Sequence, residues 1–420
     1  MLANLRDGTL GNPFVIPFTM PALSNPISVI FIIGHYPGYG GVEKVTTDLA
    51  NNFRESGYNV SICSFFGDIL ADVSYGLDST LVGHHRLCFP ILSPSNIVKL
   101  YKLVKAKRRP VIVNQWCLPL NLSLLLFVVK LSTGARLISC HHNNPITNAK
   151  IISFLDSSNN TSPLIKVYYL LKLKIAKLLT KIYLKFSIFS SDKFVLLSDA
   201  FIPLLKEFVG IHSEAKITSI PNPVSIPKEF IASNLQLSSK DNIITYVGRI
   251  DSNQKRVERI IRLWEDIQDI LPSWSLYIIG DGPSRPELEN YVCKHSLKNV
   301  NFIGFSNPHI YLMRSKINML LSEWEGFGLV NVEAMAHGCV PVCLNSYAAA
   351  ADLINHGNNG ILLPYPYNRN TTAAEVLNLA TNDQLRESIA VNSLKIASKY
   401  KIESISALWH ELFFSLLVDK

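Results

Sequence analysis

Residues 317–336 run a strand, a glycine turn and a helix together with little between them. Ile317 to Leu321 is an apolar run that reads as a short buried strand, and Leu329 to Ala336 has helical composition with no breaker before Gly338. Between them lie Ser322-Glu323-Trp324-Glu325 and the turn Gly326-Phe327-Gly328. A helix that starts straight after glycines presents unpaired backbone N–H groups and a partial positive charge, and glycines let a phosphate come close to the backbone. The backbone from Gly326 to Leu329 is therefore a candidate anion cradle. Glu325 in the loop and Glu333 in the helix lie eight residues apart, too far to be helical neighbours, so they would contact different parts of one ligand. A nucleoside diphosphate sugar, with phosphates in its middle and hydroxyls at both ends, suits that layout. A solvent-facing glutamate beside a helix-capping one is the alternative.

The other segments repeat this alternation. Ile27 to Ile33 is a continuous β-branched run suited to a strand buried on both faces of a parallel sheet. It ends in a loop from Gly34 to Gly41, and Val42 to Phe53 has a helical pattern with Glu43 near its start. The loop lacks the Gly-x-Gly-x-x-Gly spacing, and no acidic residue ends a second strand where a dinucleotide site needs one. A nicotinamide-dependent oxidoreductase is thereby disfavoured. Further strands are expected at Asn59–Ser64, Val111–Val113, Leu137–Cys140, Lys193–Leu197 and Ile217–Ile220. His141-His142-Asn143-Asn144-Pro145 abruptly ends an apolar run, at the strand end where open α/β sheets hold ligands.

Ser225 to Lys240 has linker composition, and the alternation restarts at Ile243–Val247. Gly248 and Arg249 leave that strand and Lys255 closes the following loop, so a fork and a point charge can both meet a diphosphate there. Next come a helix at Val257–Leu271, a strand at Ser275–Ile279, the turn Gly280-Asp281-Gly282-Pro283 and a helix at Arg285–His295. Strands at Val300–Phe302, Val340–Leu344 and Asn359–Leu363 follow, then helical periodicity from Leu385 to Leu417.

A chain of 420 residues with 48% hydrophobic content suits two domains rather than disorder. Its net charge of +8 is too mild for a nucleic-acid-binding class. Seven cysteines without a Cys-x-x-Cys pair point to a reducing cytoplasm, with Cys339 and Cys343 as core residues. No run is long enough to span a bilayer, and Leu118–Leu131 suits a buried helix. Residues 1–26 do not read as a signal peptide; they are expected to be an irregular leader, with Met20 an alternative start.

The stretch from Glu325 to Ala336 resembles the signature of the family 4 retaining glycosyltransferases. Gly40-Gly41-Val42-Glu43, Gly248-Arg249, Lys255 and Ile278-Ile279-Gly280-Asp281-Gly282-Pro283 match that family in order. The likeness is dense over 246–363 and looser over 27–224. It implies an α/β fold of GT-B type: two Rossmann-like domains facing each other across a cleft. Residues 27–224 would form the acceptor-binding domain and 241–384 the nucleotide-sugar-binding domain, with 385–420 crossing back to the first.

The resemblance sets Gly40 and Gly41 opposite the donor phosphates and His141, or failing that His142, near donor sugar and acceptor. Arg249 and Lys255 would carry the diphosphate, Glu333 the ribose hydroxyls and Glu325 the hydroxyls of the sugar. It further implies retention of anomeric configuration, a UDP- or GDP-linked donor, no cofactor, and a glycan or lipid-linked acceptor of surface polysaccharide or glycolipid synthesis. Two positions depart from the family: Arg256 replaces a usual glycine, and Ala348 to Ala351 stand where many relatives have glycines.

No Asp-x-Asp occurs, so neutralisation by Arg249, Lys255 and the helix start, without a required divalent cation, is expected. Glycoside hydrolysis needs two carboxyl groups facing across one bond, which two glutamates on one strand-turn-helix segment do not supply. A sugar-nucleotide-binding protein without turnover stays open. In Leu164–Phe186, Lys174, Lys177, Lys181 and Lys185 fall within a sector of about 80° at 100° per residue, with apolar and aromatic residues around them. With the basic run Lys99–Arg109, this suits either an anionic membrane surface, hence a peripheral place on the inner face of the cell membrane, or a core helix with a solvated lysine face.

Overall fold

The computed structural model describes residues 26–38, 40–67, 82–159, 162–226 and 237–418. Nearly all of the expected leader and most of the expected linker lie outside them.

Two wholly parallel sheets organise the chain. The first holds β1 (Ser28–His35), β2 (Asn59–Phe66), β3 (Gly83–Arg86), β4 (Pro110–Asn114), β5 (Arg136–Cys140), β6 (Lys193–Leu196) and β7 (Ile217–Ser219). Their order across it is β3-β2-β1-β4-β5-β6-β7. The second holds β8 (Asp241–Val247), β9 (Ser275–Ile279), β10 (Val300–Gly304), β11 (Ser315–Leu320), β12 (Val340–Leu344) and β13 (Ile361–Leu363). Its order is β10-β9-β8-β11-β12-β13. In each sheet the order reverses beside the first strand, between β1 and β4 and between β8 and β11. A crevice opens beyond the carboxyl ends at such a point. The loops that leave these strands begin at Tyr36, Gln115, Gly248 and Leu321.

The central strands are continuous apolar runs because helices cover both faces: Val29 to Ile32 of β1 are fully buried. β3, which no apolar pattern announces, is a short edge strand of sequence Gly-His-His-Arg paired to Ser61–Ser64. The helix expected to be buried near Leu118–Leu131 spans Leu120–Thr133 and is buried on one side only. Leu122, Leu125, Leu126 and Val129 enter the core, while Val128 and Leu131 stay exposed, since nothing among the described residues covers that side.

The last described helix returns to the first domain. The periodic segment expected from Leu385 to Leu417 is two helices with different hosts. Asp383–Ala397 packs into the second domain through Ile389 and Ala390. Ile402–Val418 lies against the helix Gly41–Glu55, with Trp409 and Phe413 in the core of the first domain. The crossing therefore falls near Tyr400, where the carbonyl accepts the Val224 N–H at 2.7 Å, so both passages between domains run side by side. Lys240, read as the end of the linker, is instead anchored in the second domain, its Nζ donating to the carbonyls of Leu312, Met313 and Ser315.

Candidate active site

The glycine turn and the helix start after it have the geometry their sequence suggests. Gly328 caps the helix Leu329–Ala336 at φ +77°, a left-handed conformation in which a Cβ would also lie 2.4 Å from the Tyr347 hydroxyl. Gly326 is required for a different reason: its Cβ would sit 1.9 Å from the carbonyl oxygen of His142, in the other domain. The Phe327 side chain turns away, packing edge-on against Tyr400, so only its backbone is available to a ligand.

Glu325 and Glu333 are both buried, which disposes of the solvent-facing alternative. Glu325 Oε1 accepts from Lys255 Nζ at 2.5 Å and from Ser322 Oγ at 2.7 Å. Glu333 Oε1 accepts from Lys44 Nζ at 2.7 Å. Burial works against the Glu333 carboxylate, but the Lys44 ammonium, aided by His309 and His337, outweighs it and holds the pKa below the ordinary value. Lys44 shows the mirror image: burial lowers its pKa, and Glu333 more than restores it.

Asp251 organises the loop that leaves β8. Its Oδ1 accepts the backbone N–H groups of Asn253, Gln254 and Lys255, at 3.1, 2.7 and 3.2 Å. Its Oδ2 accepts from Arg249 Nε at 2.7 Å. Burial alone would raise the Asp251 pKa; those N–H groups and Arg249 together bring it below the usual carboxylate value. The loop is thus a rigid turn that aims Lys255 at Glu325 and leaves the Arg249 side chain 63% exposed. Gly248 starts this turn at φ +151°, where a Cβ would lie 2.9 Å from the Tyr246 hydroxyl. Arg256 adopts φ +52°, a left-handed conformation that glycine takes most readily.

Across the cleft, Gly40 and Gly41 open the helix Gly41–Glu55, and a Cβ on Gly41 would be 3.5 Å from Leu329 Cδ1. Gly41 against Leu329, Lys44 on Glu333 and His142 against Gly326 thus join the two halves of the site. His141 is buried, its Nδ1 3.3 Å from Cys117 Sγ and its Nε2 3.5 Å from the Asn144 carbonyl. Burial pushes its pKa down to about 4, so it is neutral at neutral pH. His142 bonds through Nε2 to Gln115 Oε1, and burial lowers its pKa to about 3. Both histidines line a 290 Å³ cavity with His35, Glu43, Gln115 and Trp116.

The structure therefore brings Gly40, Gly41, His141, His142, Lys255, Glu325, Gly326, Leu329 and Glu333 to one cleft, with Gly248 and Arg249 on its second-domain side. Lys44 and Asp251 were not singled out from sequence. An aspartate three and four residues ahead of Gln254 and Lys255 is a turn-forming signal that could have identified the second; nothing local marks the first. Among the described residues no group of three or more His, Cys, Asp or Glu is placed to hold a metal ion.

Two family models cover most of the chain: Glycosyltransferase Family 4 over residues 39–227 and Glycosyl transferases group 1 over 227–395. An uncharacterised glycosyltransferase of Haemophilus influenzae is 25% identical over 90% of this chain and 98% of its own length. A Campylobacter jejuni alpha-1,4-N-acetyl-D-galactosaminyltransferase acting on an undecaprenol-linked glycan is 28% identical over 41% of this chain and 48% of its own. Among solved structures, Anabaena HepE in complex with UDP-glucose superposes with a TM-score of 0.69 at 18% identity, covering 93% of this chain and all of that one. TarM does so with a TM-score of 0.72 at 14% identity, over 95% of this chain and all of its own.

Proposed function

The chain belongs to the family 4 glycosyltransferases, and from that premise we propose that it moves a sugar, with retained anomeric configuration, from a nucleoside diphosphate sugar to a glycan or lipid-linked acceptor of surface polysaccharide or glycolipid synthesis. The observation that carries this reading is the pairing of two buried glutamates with two lysines at one cleft, Lys255–Glu325 within the second domain at 2.5 Å and Lys44–Glu333 between the domains at 2.7 Å. Buried carboxylates paired with ammonium groups are ready acceptors for ligand hydroxyls. Ribose hydroxyls would take the place of Lys44 on Glu333, and hydroxyls of the donor sugar would bond to Glu325. Lys255, Arg249 and the N–H groups after Gly328 would then face the diphosphate, stabilising its charge as the glycosidic bond breaks without calling on a divalent cation. The acceptor attacks from the face the diphosphate leaves; no side chain is assigned as a covalent nucleophile. Neutral His141 and His142 suit contacts with uncharged hydroxyls. UDP and UDP-glucose bound to HepE support a nucleotide-sugar donor.

Thermal stabilisation tests the reading, because a ligand that binds only the folded state raises its midpoint. Either UDP or GDP at matched concentration is expected to raise it, equally with and without EDTA, while NAD leaves it unchanged. A shift with NAD alone overturns the assignment, and a shift abolished by EDTA overturns metal independence.

The place of action proposed is an anionic membrane surface. Among the described residues no helix is long and apolar enough to cross a membrane. The helix Pro163–Ser190 nevertheless leaves Val167, Leu171, Leu178 and Phe189 exposed beside Lys174, Lys177 and Lys185, with Lys181 half-buried. Apolar residues flanked by ammonium groups suit shallow insertion among acidic headgroups. At about 1 kcal/mol per lysine near the lipid, reversing Lys174, Lys177 and Lys181 to Glu should weaken binding to phosphatidylglycerol vesicles about 100-fold or more. Undiminished sedimentation with vesicles would make this helix a solvated face only.

A further inference from the structure

We propose that Tyr347 and Asn331, both buried, are positioning residues for the diphosphate: together they fix the Gly328 turn, so that the backbone N–H groups at the start of the helix Leu329–Ala336 keep one orientation toward the cleft. The inference rests on the transferase reading above. It gives a role to the loop after β12, which runs into the alanines that stand where many relatives have glycines.

The topology brings this loop to the site. β12 lies beside β11 and parallel to it, so the loops that leave the two strands emerge side by side. One carries Glu325 and the glycine turn; the other is Asn345-Ser346-Tyr347. Two contacts tie them together. Ser346 Oγ donates to the Ser322 carbonyl at 2.7 Å. Tyr347 sets its hydroxyl against Gly328, in the space that a side chain there would fill.

The same hydroxyl is held from the helix. Asn331 Nδ2 donates to it at 3.2 Å, and the Asn331 backbone N–H donates to the Gly328 carbonyl at 2.9 Å, so phenol, first helical turn and glycine form one closed unit. Cys343 Sγ completes the cluster, 3.4 Å from both the phenol oxygen and Asn331 Nδ2. Burial keeps phenol and thiol protonated, the thiol pushed up to about 12, so neither opposes an anion on the far side of the turn.

Asn331 is an expensive residue in this place. Its Oδ1 is buried with no hydrogen-bond partner among the described residues. An unpaired buried acceptor costs stability, and an apolar side chain at this position would avoid that cost. What an apolar side chain cannot supply is the donor that holds the phenol against the turn. Gly328 needs such a restraint, because glycine has the widest conformational freedom of any residue. Donors fixed before the ligand arrives need no reorganisation when it binds.

Competition calorimetry on the full chain tests this with UDP and uridine, and with GDP and guanosine; the ratio of diphosphate to nucleoside affinity reads the phosphate contribution. Tyr347→Phe keeps the ring and loses the hydroxyl. It should weaken the diphosphate about 3- to 10-fold, the loss of one neutral hydrogen bond, and leave the nucleoside within about 2-fold. Asn331→Leu should do the same, and the double variant should lose no more than the larger single loss, because each residue acts through the other. Ser346→Ala, which cuts the other tie between the loops, should leave the ratio unchanged. The proposal is overturned if Tyr347→Phe keeps the wild-type ratio or if the two single losses add. It is equally overturned if nucleoside and diphosphate weaken together, which would make the phenol a packing element of the fold. A wild-type protein that binds the diphosphate no more tightly than the nucleoside would count against the transferase reading itself.

Discussion

Glu325→Ala is expected to lower turnover by roughly 10²- to 10³-fold, a magnitude ordinary for deleting one preorganised electrostatic contact at a reacting centre, while nucleoside diphosphate affinity stays within about 3-fold. The split follows from the geometry. Glu325 bonds to Lys255 and Ser322 inside the second domain, whereas the carboxylate assigned to the ribose, Glu333, sits on the following helix and faces Lys44. Removing Glu325 leaves the nucleotide contacts intact and frees Lys255 from its partner. Glu325→Gln separates charge from shape: it keeps an acceptor for Ser322 Oγ but cannot hold the Lys255 ammonium as an ion pair. Steady-state kinetics with the donor, set beside calorimetric nucleotide binding, reads both quantities. Unchanged turnover in Glu325→Ala would end its assigned role. A loss of nucleotide affinity as large as the loss of turnover would make it a uniform binding contact and not one specific to the transition state.

What the sequence announced and what it concealed divide along physical lines. Glycines are legible because their reasons are local: Gly328 stands where φ is +77°, and the β-branched run of β1 can only be a strand covered on both sides. The returning helix was anticipated from family likeness alone; its periodicity says that Trp409 and Phe413 share a face, not which domain receives it. The same limit placed the crossing too early, since Ile389 and Ala390 carry the same pattern as Ile405 and Trp409 but face another core. β3 escaped notice because an edge strand needs no apolar alternation.

Partner choice was the least legible feature. Lys44 and Glu333 are 289 residues apart, and no spacing rule operates at that range. Seen in sequence, Lys44 is one of forty basic residues; in the fold it neutralises the carboxylate nearest the proposed ribose position. Asp251 lay between the two cations that were recognised, yet its work is done through three backbone N–H groups, which side-chain patterns do not display.

Phe413→Ala should produce the largest loss of stability short of deleting an element. The ring is fully buried, edge-on to Phe53 at 5.3 Å and to Tyr58 at 5.9 Å, with Trp409 at 5.7 Å. Truncating a buried phenylalanine costs about 3–5 kcal/mol in transfer and cavity terms. At roughly 2–4 °C per kcal/mol for a domain of this size, the midpoint of the first domain should fall by about 6–20 °C. Leu408→Ala, at an exposed position of the same helix, should change it by no more than about 0.5 kcal/mol. Differential scanning calorimetry with and without nucleotide tells which domain melts. If the early transition is the one that nucleotide does not shift, the C-terminal helix stabilises the first domain, as its packing on Phe53 and Tyr58 requires. If the nucleotide-sensitive transition moves instead, its energetic host is the second domain and the contact with the helix Gly41–Glu55 is incidental. The consequence for activity is direct, because Phe53 closes the same helix that carries Gly41, Glu43 and Lys44 into the cleft. Loosening Phe413 should therefore weaken the Lys44–Glu333 contact between the domains without touching a residue of the site.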